Sequence, residues 1–136
     1  MKAAVLTGFG GPEVVQIAKR PIPTLKANQV LIQNQTASVN SSDARIRSKN
    51  VPKGYKFLMS LMFGFNRPRI ETLGTVFAGQ VTQVGASVTK FKPGDLVFGS
   101  TAIKMAAHAE FVAISESAAI THLPDALSPA EAASLV

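Results

Sequence analysis

Short apolar runs separated by turn residues dominate this chain and predict a β-rich domain. The runs cover residues 2–7, 13–18, 29–39, 75–84, 96–98, 108–114 and 119–122. Most of them have the length of an ordinary strand. Gly79 interrupts the fourth run, which predicts a bulge or a close backbone approach at that point. Strands this short and this closely spaced favour a barrel or a sandwich.

Local signals mark one tight turn and two helix starts. Residues 92–95 fit a type II turn because proline takes its second position and glycine its third. Asn40 is a natural N-cap and predicts a short helix directly after it. Ser128 and Glu131 form a capping box around a proline in the first helical position. The sequence ends only about two turns into this last helix, and isolated helices that short are marginal. We therefore expect the natural protein to continue.

An aromatic and methionine-rich stretch, residues 54–65, has no clear periodicity because apolar residues fall on every face. Burial in the core is the ordinary fate of such a stretch. It could instead line an apolar pocket or bind a partner. It is far shorter than the ~20 residues of a membrane span, and the N-terminus lacks a secretory signal. We expect a cytoplasmic protein with no membrane partner.

The basic residues are concentrated in one part of the chain. The net charge is +6, and between residues 19 and 69 Asp43 is the only acid. The bases in this region are Lys19, Arg20, Lys26, Arg45, Arg47, Lys49, Lys53, Lys56, Arg67 and Arg69. A solvated face is the simplest interpretation. Nucleic acid is not expected as a partner, because no binding motif accompanies the charge and one Tyr with no Trp offers little base stacking.

Candidate chemistry is sparse. The absence of cysteine excludes disulfides, thiol catalysis and cysteine-ligated zinc sites. His108 and His122 have no second histidine at ligand spacing, so a metal site has little support. The sequence has neither a Gly-x-Gly-x-x-Gly phosphate loop nor a Gly-x-Ser-x-Gly elbow. This segment is therefore not expected to hold a dinucleotide by itself.

Asn40 and Asp43 are the polar residues of greatest interest, because they follow the long third run and open a short helix. A purely local role is sufficient to explain them: the Asn caps the helix, and the Asp in the first turn complements the helix dipole. The alternative is a polar cluster that faces a ligand. The residues alone leave both interpretations open.

Short motifs follow one another along nearly the whole chain in a recognisable order. They are Met1–Val5, Phe9–Val14, Ala37–Asp43, Ile46–Ser48, Leu73–Gly74, Phe77–Gly79, Val84–Gly85, Phe91–Gly99, Ala109–Val112 and Leu123–Asp125. Each is weak alone, but together they resemble the quinone oxidoreductases of the medium-chain dehydrogenase/reductase superfamily.

The resemblance implies a mainly β fold, a GroES-like partly open β-barrel with a few short helices over residues 1–127. Residues 128–136 would begin the helix that leads to a Rossmann domain, not present in this chain, that binds NADPH. Zinc-dependent relatives carry a cysteine where Asn40 stands and Gly-His-Glu where Gly74, Thr75 and Val76 stand, so the resemblance implies no zinc. The parent enzyme would be a cytoplasmic homodimer that reduces a small-molecule quinone or enone.

The resemblance also implies roles for particular residues. Asn40, Asp43 and Arg45 are expected as the catalytic residues. Asn40 and Arg45 would also bind the cofactor, near the nicotinamide or the acceptor oxygen, and Asp43 would position the short helix. The apolar wall of the substrate site is expected to include Phe57, Met62 and Phe65. The rival hypothesis is a non-catalytic GroES-like binding module that uses its basic face and apolar loop. A metal-dependent alcohol dehydrogenase fits least well, because the ligands are absent.

Overall fold

Seven strands and three α-helices make up the regular structure of residues 1–135, which the computed structural model describes. The strands are β1 (Lys2–Leu6), β2 (Val15–Lys19), β3 (Gln29–Ser38), β4 (Val76–Val84), β5 (Leu96–Ser100), β6 (Phe111–Ser115) and β7 (Ala119–His122). The helices are α1 (Ser41–Ser48), α2 (Lys56–Phe63) and α3 (Pro129–Ser134), and single 3₁₀ turns lie at Pro12–Val14, Lys53–Tyr55 and Ala102–Lys104.

The strands form two antiparallel sheets that curl into a half-barrel. The larger sheet has the order β6-β3-β4-β5-β7, and β1 pairs with β2 in a two-stranded sheet. Backbone bridges from Ala3 to Ala109 and from Val5 to Thr72 join β1 to the segments that flank the larger sheet. The predicted GroES-like fold class is confirmed.

The main core lies inside the curl of the larger sheet. Its most deeply buried side chains are Val30, Ile32, Phe77, Val81 and Val97. They come from β3, β4 and β5, where alternate residues point to the same face of the sheet. Burying side chains of this size stabilises a domain by roughly 1.5–3 kcal/mol each.

Gly79 lies at a close approach between β3 and β4. The register between the two strands shifts between Asn34 and Thr36, opposite Gly79. A Cβ added at Gly79 would overlap the carbonyl oxygen of Gln33. The prediction of a bulge or close approach at this glycine is confirmed.

Several local predictions hold, and two strand starts differ from the predicted ones by two or more residues. The turn at Lys92 has the hydrogen bond from the Asp95 amide at 3.2 Å and a positive φ of 97° at Gly94, as a type II turn requires. The second strand was predicted from residue 13 but begins at Val15, because a 3₁₀ turn occupies Pro12–Val14. The sixth begins at Phe111 rather than 108, because the residues before it pair with β1 instead.

A second apolar cluster lies under α1 and α2 and positions the candidate site. It consists of Leu6, Ile46, Phe63, Leu73 and Met105.

The apolar stretch at residues 54–65, whose periodicity was ambiguous, is helical over residues 56–63. Few of its side chains are buried in the core. Phe63 is buried, whereas most of its apolar neighbours are exposed. Among residues 1–135, none of the helices has the length and apolar content to cross a bilayer.

The capping box predicted at Ser128 is present and starts α3. The Glu131 amide donates to the Ser128 hydroxyl at 3.3 Å, and the Ser128 amide donates to the Glu131 carboxylate at 2.8 Å. Ala133 is buried against Val76 and Ala78 of β4. This short helix is therefore held by packing on the sheet as well as by its cap.

Candidate active site groove

A groove of about 430 Å³ opens between α1, α2 and the turn that follows β5. Its lining residues are Ser42, Arg45, Ile46, Val51, Met59, Met62, Phe63, Thr75, Ala102, Ile103 and Met105. The wall is mostly apolar, and Ser42, Arg45 and Thr75 are its polar members. A concave apolar site with a few convergent polar groups is the usual form of a small-molecule site.

The turn after β5 supplies one wall of the groove and is backbone-strained. Ala102, Met105 and Ala106 have positive φ angles of 49°, 56° and 78° although none is glycine. Such residues cost about 1–3 kcal/mol each and cluster at functional sites. Met105 is nevertheless buried in the cluster under α1, so packing holds the turn in this conformation.

The start of α1 is built by a reciprocal cap between Asn40 and Asp43. The Asn40 side-chain oxygen accepts from the amides of Ser42 at 2.9 Å and Asp43 at 3.3 Å. The Asp43 carboxylate accepts from the Asn40 amide at 3.0 Å. The local roles that the residues alone allowed are present: Asn40 caps α1, and Asp43 is the acid in its first turn.

Asp43 also ties α1 to the segment before β4. Its carboxylate is buried and accepts from the Gly74 amide at 2.9 Å. This bond holds Gly74, and Thr75 after it, against the N-terminus of α1. The position fits the predicted role of Asp43 as the residue that places the short helix.

Thr75 is the residue that sequence reasoning missed. Its hydroxyl oxygen accepts from the Asn40 side-chain amide at 3.0 Å, and its side chain lines the groove. Its own O–H donates no hydrogen bond to any of residues 1–135. The signal that could have found it is its place, between Gly74 and Val76, where the resemblance puts a ligand of zinc-dependent relatives.

Arg45 lies on the exposed side of α1 at the rim of the groove. Its guanidinium has no hydrogen-bond or ion-pair partner within the described part of the chain. A charged donor that is free at the rim of an apolar groove can bind a carbonyl oxygen or an anion. Asn40 does not line the groove and reaches it only through Thr75.

Of the three residues predicted for the apolar wall of the substrate site, one lines the groove and two do not. Met62 lines the groove, whereas Phe57 and Phe65 are not among its lining residues. The two Phe rings contact each other edge to face, with centroids 6.1 Å apart, and both are exposed. Their role in the substrate wall stays a prediction.

Both histidines have structural partners. His108 is half-buried, and its Nε2–H donates to the Ser38 carbonyl at 3.0 Å, with Asp43 3.9 Å away. His122 lies 4.9 Å from the Phe91 ring and contacts Asp95 at 3.0 Å. Among residues 1–135 no group of three or more potential metal ligands occurs. The donor set does not fit a zinc site, and independence from zinc stays a prediction.

A second cavity of about 470 Å³ lies on the other side of the strained turn. Its lining is mostly apolar, and its polar members are Thr72, Ser100, Thr101 and Lys104. The groove beside Thr75 is the better candidate for chemistry, because Arg45 and Met62 line it and Asn40 is hydrogen-bonded to Thr75 in its wall.

Comparisons with known proteins agree with this architecture. Residues 26–125 match the family described as the alcohol dehydrogenase GroES-like domain. The quinone oxidoreductase of Mus musculus is 32% identical over 99% of this chain and 37% of its own length. The solved quinone oxidoreductase from Coxiella burnetii superposes with a TM-score of 0.85 and 31% identity, over 98% of this chain and 40% of that one.

A further solved structure, the Escherichia coli quinone oxidoreductase complexed with NADPH, has a TM-score of 0.78 and 27% identity, over 98% of this chain and 37% of that one. The chain thus spans about two fifths of the length of these relatives. The predicted resemblance is confirmed by the matched family, the curated relatives and the fold. This chain belongs to the alcohol dehydrogenase GroES-like domain family, and its relatives are quinone oxidoreductases of the medium-chain dehydrogenase/reductase superfamily.

Proposed function

We propose that this chain is the substrate-side domain of an NADPH-dependent reductase that acts on a quinone or an activated enone without zinc. The observation that carries the proposal is the hydroxyl of Thr75, a residue that lines the groove: this hydroxyl accepts a hydrogen bond from the Asn40 side chain and keeps its own O–H to donate. The names of the relatives support the same reaction class.

Bound NADPH supplies the hydride in this reaction. Hydride addition to a quinone or enone places negative charge on the acceptor oxygen, so the protein must offer donors where that charge develops. Thr75 is suited to this task, because accepting from Asn40 leaves its O–H to point elsewhere. Arg45 at the rim supplies a second, charged donor.

The apolar groove wall has a separate task. Ile46, Met59 and Met62 would hold the acceptor ring and keep water away from the reacting carbon. In a water-poor site, the hydrogen bonds from Thr75 and Arg45 become stronger than they are in solution. Asn40 and Asp43 then act as positioning residues, because they reach the groove only through Thr75 and Gly74.

The experiment that tests the proposal is NADPH oxidation by the protein in its full natural length, with a small ortho-quinone and an enone as acceptors and a chelator present. Turnover that survives the chelator is expected. The binding-module alternative predicts neither turnover nor NADPH binding. Turnover that the chelator abolishes would contradict independence from zinc.

A pair of substitutions at Asn40 separates its cap from its link to Thr75. Asn40→Ser keeps an oxygen that can cap α1 but loses the amide that donates to Thr75. We expect a fall in kcat with little loss of stability. Asn40→Ala also loses the cap and should cost about 1 kcal/mol of stability in addition. Equal kcat values for Asn40→Ser and the unmodified protein would refute the link.

A further inference from the structure

Helix α2 is apolar on two opposite faces, and only one of them is covered. Phe63 is buried, and Met59 packs against the cluster beneath it. The other face exposes large apolar side chains at helical spacing, namely Phe57, Leu58, Leu61 and Met62, with Phe65 just past the helix end. We call these five residues the α2 stripe. Contiguous exposed apolar patches on soluble domains mark interaction sites.

The part of the sequence that contains α2 carries charge of one sign. Residues 44–70 contain seven basic residues and no acid. They are Arg45, Arg47, Lys49, Lys53, Lys56, Arg67 and Arg69.

Two hydrogen bonds and one sequence position place three of these cations beside the stripe. Arg69 donates from its guanidinium to the Leu61 carbonyl at 3.0 Å, and the Lys49 ammonium donates to the Phe65 carbonyl. Lys56 is the first residue of α2, next to Phe57. The stripe is thus edged by cations on both ends of the helix.

The local sequence of α2 is poorly suited to a helix that faces water. Its N-cap is Tyr55, which makes no side-chain capping bond, and the first turn has no acid. Lys53 and Lys56 instead lie at the positive end of the helix dipole, where cations are unfavourable. Conflicts between local preference and observed structure are expected at functional sites. An anionic partner would relieve this one.

We propose that the α2 stripe docks on the surface of an anionic lipid bilayer, with Phe57 and Phe65 entering the headgroup boundary and the surrounding cations facing the lipid phosphates. Helices with an apolar face and basic flanks bind bilayers in this way. A second copy of this chain fits less well, because a symmetric contact would bring the two sets of cations together.

The docking goes beyond the proposed reductase function and does not depend on it. It revises the expectation of no membrane partner, which rested on the absence of a spanning segment. Lying on a bilayer and crossing one are different properties with different sequence requirements. Because Met62 belongs to both the stripe and the groove wall, a docked molecule would open its groove close to the lipid.

The test is co-sedimentation of the protein in its full natural length with phosphatidylcholine vesicles that contain phosphatidylserine, compared with pure phosphatidylcholine. Binding is expected only with phosphatidylserine present, and it should weaken as salt is raised. Lys53→Gln with Lys56→Gln should weaken binding roughly 30-fold, at about fivefold per cation near the surface. Phe57→Ser with Phe65→Ser should abolish detectable binding.

Matched controls use exposed residues elsewhere in the fold. Ile17→Ser with Ile22→Ser removes two exposed apolar side chains, and Lys2→Gln with Lys90→Gln removes two exposed cations. Both pairs should bind like the unmodified chain, and circular dichroism checks that every variant is folded. Binding unchanged by the two Phe substitutions, or lost equally in the control pairs, would overturn the proposal. So would absence of vesicle binding together with a dimer that those Phe substitutions dissociate.

Discussion

The buried carboxylate of Asp43 makes a sharp prediction about stability. It accepts two backbone hydrogen bonds, from Gly74 at 2.9 Å and from Asn40 at 3.0 Å. Asp43→Asn keeps the size and shape of the side chain but replaces one acceptor oxygen with an NH₂ group. Whichever way the amide turns, one of the two backbone N–H groups then faces a donor.

The magnitude follows from two losses. Leaving a buried N–H group unpaired costs about 1–3 kcal/mol. Losing a negative charge in the first turn of α1 costs roughly another 0.3–1 kcal/mol. We therefore expect Asp43→Asn to lower the free energy of unfolding by about 2–3 kcal/mol, a large share of the ~5–15 kcal/mol of an ordinary domain.

Urea unfolding followed by circular dichroism measures this loss. The midpoint should fall and the slope should stay constant, which would indicate a change in stability alone. The control is Asp125→Asn, whose exposed side chain has no hydrogen bond in the described residues and should change stability by less than about 0.5 kcal/mol. If the two variants unfold at the same urea concentration, the buried hydrogen bonds of Asp43 do not hold α1 in place.

Four further predictions use other parts of the molecule. Thr75→Val should lower kcat of the full-length reductase about 100-fold with little change in KM, while Thr121→Val on exposed β7 should not; steady-state kinetics decide this. Gly79→Ala should destabilise the chain by about 2–3 kcal/mol in urea unfolding, because its Cβ would overlap the Gln33 carbonyl. Phe77→Ala should cost about 3–5 kcal/mol, since the ring is fully buried. Hydrogen bonds from the side chain and then the backbone of Lys92 lower the pKa of Asp95 from 3.8 to about 2, so the resulting stability, on the order of 1 kcal/mol after solvent screening, is present above pH 3.8 and is lost as the pH falls towards 2. Lys92→Ala removes the side-chain bond and keeps the backbone bond, so acid titrations of unfolding should show a smaller loss.

The sequence by itself determined the features that depend on neighbouring residues. Asn40 and Ser128 predict the starts of α1 and α3, because an N-cap depends only on hydrogen bonds between residues close in sequence. Pro93 and Gly94 specify their turn through their own φ preferences. The ordered motifs identified the family, which local patterns alone could not have done, since the spacing of short strands fits a sandwich as well as a barrel.

Only the tertiary structure decided which side chains meet. Thr75 is an ordinary residue in sequence, and it becomes a candidate donor because Asp43 holds Gly74 against α1 and brings Asn40 within 3.0 Å of the hydroxyl. The sequence likewise did not determine that the α2 stripe is exposed. In a helix that is apolar on all sides, the periodicity does not indicate which face packs against the domain. Which face is covered depends on the shape of the half-barrel beneath it, and that shape is set by strand pairings between residues distant in sequence.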